Sequence, residues 1–250
     1  MNFRRRFRRK AERARAFGHR SVEYVGSTEK GIDAIAETAD EGDLVLTLGA
    51  GPERAIPATK TFTAQVAVFA LVAEAIGPVP WTPADWPTIV PAVETVLADP
   101  APAGAVAAAI GDARAAVVLA RGFLFSVAHE AALKLSETTS LVTRAYSTAD
   151  FQHGPIAIVD ADLPVLAFSA AGPCAADVAE ITREIRERGG HVLSIADSEG
   201  ADLRVPPGVP EALAPIPAAV RAQQLALALA RHRGLDADAP AGLSKITATV

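Results

Sequence analysis

The chain has 250 residues, 50% hydrophobic and 21% charged, with a formal net charge of −5 at pH 7. These values describe a globular chain long enough for one large or two small domains, and the acidic balance argues against nucleic acid as a partner, because neutralising phosphates needs a basic face. A single cysteine, Cys174, excludes an internal disulfide and a cysteine metal cluster and suits a reducing, cytoplasmic compartment; no metal or cofactor is indicated.

The opening "MNFRRRFRRKAERARAFGHR" is arginine-rich with one acid, Glu12, and no apolar segment follows it. It reads as a solvated helix or a basic arm rather than a secretory signal. No apolar run reaches the ~20 residues that span a bilayer, so no membrane partner is expected. Strands are predicted at 22–25, 44–48, 115–120, 141–146, 163–169 and 191–196, and helices at 28–39, 58–76, 84–98, 124–139, 174–188 and 210–232. The strands are apolar throughout rather than at alternate residues, and they alternate with helices. That pattern predicts an α/β fold, a parallel sheet covered by helices on both faces.

Five prolines between Pro78 and Pro91, followed by "ADPAPAGAVA", place a domain boundary between Ile76 and Ala113. Four strong strands with their helices lie downstream, enough for one complete doubly wound domain; only two strands lie upstream. Cys174 reads as a packing cysteine; the alternative is an activated thiol, since it falls at a predicted helix start, where the helix dipole can lower a thiol pKa.

In "SVAHEAALKLSETTS", Glu130, Lys134 and Glu137 recur at i, i+4 and i+7 and so share one helical face. Two readings stay open. One is a solvated stripe, with a Glu130–Lys134 pair worth about 0.3–0.5 kcal/mol. The other is a ligand site, since ligands of parallel sheets bind at the carboxyl ends of strands, where such a helix begins. His153, in "ADFQHGP", is a turn residue beside Gly-Pro on the first reading and an acid–base group on the second. Lys245, in the non-helical tail "GLDADAPAGLSKITATV", sits among β-branched residues that suggest an ordered, partly buried tail. An amine in such a setting can act as a nucleophile toward a carbonyl.

Together these segments resemble the sugar isomerase (SIS) domain family, in particular the isomerase half of glucosamine-6-phosphate synthase and its short relatives. "EAALKLSETTS" is similar to the family's E-G-A-L-K-L-K-E helix, "FQHGP" to its H-G-P loop, and the tail to its D-x-D-x-P-x-x-L-x-K-x-V-T ending. "AGPERAIPATKTFTAQVAVFAL" resembles the last helix of the first of two tandem SIS domains. The resemblance covers about residues 50–250. It implies a three-layer α/β/α SIS domain at 101–250, preceded by a truncated or hybrid first domain and Pro-rich linker at 50–100.

The resemblance also implies roles. Glu137 would move a proton between C1 and C2 of a sugar, with Lys134 as its partner. His153 would assist ring opening from the other subunit of a homodimer, and Lys245 would form a Schiff base with the open-chain ketose. Ile56, Ala58, Thr59, Lys60, Glu130 and Ser244 would contact the substrate, a hexose or amino-sugar phosphate. The implied activity is aldose–ketose isomerisation, or amination or deamination of an amino sugar.

The pattern breaks in places. The two hydroxyl-rich loops that hold the family's sugar phosphate have no counterpart: there is no G-T-S and no S-Q-S-G-E-T run before Ala50. Residues 1–49 instead resemble the C-terminal end of a MurC-type muramate–amino acid ligase, without that enzyme's ATP-binding loop. Pro57 and Ala58 replace an Ala-Ser pair and remove a hydroxyl. Asp150 stands in place of a glutamate, and "RGFLFSVA" reads as a structural copy of a phosphate loop. The alternative function is therefore an SIS binding or dimerisation module with impaired catalysis.

Overall fold

The computed structural model describes residues 23–25 and 45–244. The described residues fall into two compact units: one holds 45–54 and Ala58–Pro80 with the 23–25 strand, the other Ala55–Pro57 and the chain from Trp81 onward.

In the smaller unit, β1 (Glu23–Val25) pairs in parallel with β2 (Val45–Thr47). Helix α1 (Lys60–Ile76) packs Ala64, Val68, Leu71 and Val72 against Leu46 and Leu48. Those helical positions recur at i, i+4, i+7 and i+8, a single stripe. The helix predicted at 28–39, the ligase-like reading and the basic arm lie outside the described residues, apart from the two strands and residues 48–49.

The larger unit carries a five-stranded, wholly parallel sheet in the order β4-β3-β5-β6-β7. Its strands are β3 (Ala115–Ala120), β4 (Val142–Ser147), β5 (Pro164–Phe168), β6 (His191–Ala196) and β7 (Leu203–Arg204). Strands β3 and β5 are buried almost end to end, as a sheet covered on both faces requires. On one face α4 (Phe125–Thr139) and α7 (Pro215–His232) pack on each other and on the sheet, joined by α2 (Ile89–Ala98) and α3 (Ala101–Ile110). On the other face α5 (Thr148–Gln152) and α6 (Ala175–Glu187) bring Phe151, Val178, Ile181 and Ile185 onto Val117, Leu119, Val165 and Val192. The α/β reading with a parallel sheet holds.

Two features differ from the sequence reading. Residues 101–110, read as part of the boundary stretch, form α3 inside the larger unit, whereas the 3-10 turn at Trp86–Thr88 and α2 fall within the helix predicted at 84–98. Pro91 and Pro102 sit in first turns, where the missing N–H has no intrahelical acceptor to lose. Ala103, Val106, Ala107 and Ile110 then give α3 a buried stripe. The second difference is β7, whose two residues are too short to carry a period.

Arg233, just past α7, ties the helical layer together. Its guanidinium donates to the carbonyls of Gly111 (2.9 Å), Ala113 (2.6 Å) and Thr139 (2.9 Å), at the ends of α3 and α4. These acceptors are left over where helices stop, and a cation there also meets the negative end of the dipole. Arg233→Met keeps the apolar stem but strands all three carbonyls, and a loss of about 2–4 kcal/mol is expected by urea denaturation. Arg188→Met, which breaks only an exposed pair with Glu184, should cost under about 0.5 kcal/mol.

Candidate functional site

Helix α4 brings three of the sequence-predicted residues together. Lys134 Nζ lies 2.6 Å from Glu137 Oε2 and 4.0 Å from Glu130 Oε1. The solvated-stripe reading is overturned: Lys134 and Glu130 are each only 5% exposed. They are buried because α7 covers this face, and Gln223 of α7 hydrogen-bonds the Glu130 carboxyl. Glu137 keeps a partly open edge, with 24% of its side chain accessible. Glu130 Oε1 has no hydrogen-bond partner.

One ammonium cannot neutralise two carboxylates, one of them buried. Burial pushes the Glu130 carboxyl up to about 7, against the pull of Lys134 and Gln223 and with some help from the charge of Glu137. Near neutral pH the group therefore carries its proton part of the time, while Glu137 faces the ammonium.

The trio does not lie where α4 begins. Glu137 is near the C-terminal end of the helix, three residues after Lys134 and five before β4 starts. The expectation that the face would open at the carboxyl ends of the strands is corrected: α4 runs back along the sheet, carrying these residues toward the strands' amino ends.

His153, exposed at the end of α5, is not among them. Helix α5 follows the carboxyl end of β4 and packs its Phe151 on the face of the sheet opposite α4. Strand β4 spans roughly 15–20 Å, so Glu137 and His153 of one copy stand at opposite ends of the strand and on opposite faces of the sheet.

The 52–60 segment divides. Ile56 belongs to the larger unit, where its N–H donates to the carbonyl of Asp238 in the tail, 2.8 Å. Ala58, Thr59 and Lys60 belong to the smaller unit. There the Glu53 carboxylate accepts from Thr59 N–H (3.2 Å), the Thr59 hydroxyl (3.1 Å) and Thr61 N–H (3.0 Å), and Lys60 Nζ donates to the Pro52 carbonyl. Burial works to raise Glu53, but hydrogen bonds from Thr61 and Thr59 outweigh it and hold the carboxyl below its ordinary value. In the tail, Leu243 and Ser244 are exposed rather than partly buried. Lys245 lies outside the described residues.

Cys174 fits the packing reading. It caps the N-terminus of α6, yet its thiol pKa is raised, first by burial and then by the carboxylates of Glu211 and Asp177. Burial and the neighbouring carboxylates keep the thiol protonated, so the activated-thiol alternative is set aside. Glu211 and Gln223 were missed in the sequence. Gln223 left a faint signal, a polar residue on the apolar side of "RAQQLALALA".

Among the described residues no cluster of His, Cys, Asp or Glu is arranged to hold a metal, and no single helix is long and apolar enough to cross a membrane.

Residues 109–204 match the SIS domain family. The glutamine–fructose-6-phosphate aminotransferase (isomerizing) of Gluconobacter oxydans is 33% identical over 225 residues, covering 82% of this chain and 36% of that protein. The chain thus spans little more than a third of the length of the curated relatives it matches. The C-terminal domain of glucosamine-fructose-6-phosphate aminotransferase from Francisella tularensis superposes with a TM-score of 0.71 at 23% identity, covering 80% of this chain and 61% of that one. A glucosamine-6-phosphate deaminase from Thermotoga maritima gives 0.66 at 22% identity, over 96% and 83%. These two likenesses are of fold.

The raised Glu130 carboxyl makes stability depend on pH. Between its ordinary value near 4.5 and its folded value of about 7, the folded chain holds a proton that the unfolded chain has released. Stability therefore falls as pH rises through this window, by an amount on the order of 3 kcal/mol. Urea titrations at pH 5 and pH 8 should show this loss in the wild type, and Glu130→Gln should remove most of it.

Proposed function

Because the chain belongs to the SIS family, with homology to the isomerase domain of glutamine–fructose-6-phosphate aminotransferase, we propose that it binds a hexose or amino-sugar phosphate and moves a proton between C1 and C2. The observation that carries this reading is the Lys134–Glu137 pair, a buried ammonium 2.6 Å from a carboxylate that keeps an open edge. A carboxylate so placed can take a proton from a carbon acid. The adjacent ammonium stabilises its charge before the transfer and the developing enediolate after it. Glu130 completes the set as a group that can hold or release a proton near neutral pH.

The reading requires two copies of the chain. Glu137 and His153 are separated by the sheet within one copy, so an acid–base histidine can serve this carboxylate only from a second subunit in a homodimer. Lys245 supplies the amine for a ketose imine, and Ile56 is anchored to the carbonyl of Asp238 in the tail. We place the reaction in the cytoplasm, with no metal and no cofactor.

A second reading, a binding or dimerisation module without turnover, is favoured by the missing hydroxyl-rich loops in the first 50 residues and by Pro57–Ala58 in place of a hydroxyl. Fewer substrate contacts that are equal in ground and transition states would raise KM without changing the chemical step.

Interconversion of glucose-6-phosphate and fructose-6-phosphate, and release of ammonia from glucosamine-6-phosphate, are the assays. Glu137→Gln should lower kcat by about 10²–10⁴-fold with KM little changed. Lys245→Ala should abolish any borohydride-trapped adduct with fructose-6-phosphate. Co-expressing Glu137→Gln with His153→Ala should restore about a quarter of wild-type activity, because half of randomly formed dimers are mixed and each holds one intact site. Wild type with neither turnover nor adduct selects the module; activity surviving Glu137→Gln rejects the proton-transfer role.

A further inference from the structure

The sheet order reverses between β3 and β5. At such a switch point the loops leaving adjacent strands diverge and open a crevice at the carboxyl ends, the usual ligand position in doubly wound sheets. Here the crevice lies between Arg121–Gly122, after β3, and Ser169–Cys174, after β5. A third segment enters it: Glu211, in the turn before α7, is only 8% exposed and points its carboxylate into the gap.

The surroundings of that carboxylate form a cradle. The N–H of Cys174, at the start of the 13-residue α6, donates to Glu211 Oε2 at 3.4 Å. A Cβ on Gly172 would run into the same oxygen and into the Glu211 stem. A Cβ on Gly122, at φ +60°, would stand 2.7 Å from Cys174 Sγ and 3.4 Å from Glu211 Oε1. Two glycines thus bring backbone against the carboxylate where side chains have no room, at the positive end of a helix dipole. The adjacent Ala171 N–H is taken by Asp197, at 3.1 and 3.0 Å to its two oxygens.

We propose that the Glu211 carboxylate is the resident anion of an oxyanion site at the switch point, holding closed a crevice that would otherwise accept the phosphoryl group of a ligand. A similar sequence context recurs in the chain, although Glu53 serves the helix that follows it and Glu211 the start of α6, 37 positions earlier. Pro52-Glu53, Pro57 and Ala64-Gln65 repeat with the same spacing as Pro210-Glu211, Pro215 and Ala222-Gln223, and Glu53 likewise puts its carboxylate on N–H groups at a helix start. In this domain the crevice is then closed to a phosphosugar, which must be held elsewhere. The inference stands on the crevice and not on the role of Glu137, so either can fail without the other.

The test is thermal denaturation of the full chain in sodium formate or inorganic phosphate, against sodium chloride at matched ionic strength. Glu211→Ala should melt below wild type and recover several degrees, saturably, in formate or phosphate, while wild type moves no more than in chloride. Adding Gly172→Ala to Glu211→Ala should remove the saturable recovery, because the new Cβ fills the carboxylate's place. An equal saturable rise in wild type, no rise in Glu211→Ala, or a rise that survives in the double variant overturns the proposal. If Glu211→Ala does not fold, Glu211→Gln decides through Cys174, the chain's single cysteine. Without the neighbouring charge its alkylation by iodoacetamide at pH 8 should be at least about threefold faster than in wild type; an unchanged rate overturns the proposal.

Discussion

A buried ammonium must find its counter-charge inside the fold, and much of the arrangement around α4 follows from how Lys134 does so. Stripping an ammonium of water costs several kcal/mol, which only close, well-oriented partners offset. Glu137 at 2.6 Å is that partner. The pair holds its geometry because α4 cannot drift: α7 lies along it, Gln223 engages Glu130, and Arg233 holds the carbonyl of Thr139 where the helix ends. A carboxylate on so constrained an element stays oriented without the substrate having to order it, which is the condition for a proton transfer at fixed distance.

The sheet then acts as a partition. Its two helical layers carry different candidate residues, the acidic trio on one side and His153 on the other, and a parallel connection cannot bring them together. In a β–α unit the helix runs antiparallel to its strand, so residues late in α4 return to the amino ends while the loop after β4 lies at the carboxyl ends. An active site that uses both must be shared between copies. The same topology creates the crevice between β3 and β5, and in this domain a carboxylate of the chain fills it. The acidic trio and the fold's usual ligand position are consequently in different places.

What the sequence makes legible follows from range. The strand "AAVVLA" is read to the residue because burial on both faces leaves it uniformly apolar. The spacing of Glu130, Lys134 and Glu137 is a local property of one helix and was equally plain. Their burial was not, because it depends on α7 nearly ninety positions later. Helix α3 was hidden by Pro102, which looks like a breaker until its place in the first turn is known. Glu211 gave no signal: its partner Cys174 is 37 positions away, and a glutamate in a Pro-rich turn looks like solvated surface.

An anion carried by the chain differs from one drawn from solution in a way that bears on the whole domain. A tethered group faces its site at a high effective concentration, so it stays bound whatever the metabolite level. The loops after β3 and β5, with a helix start between them, are thereby held in one arrangement without a ligand. That gives α4, on another face, a rigid support rather than a responsive one. On the proposed function, a phosphosugar would then be held outside this crevice. Binding and chemistry would then draw on parts of the chain far apart in sequence, and the sheet of the larger unit would serve mainly to present α4.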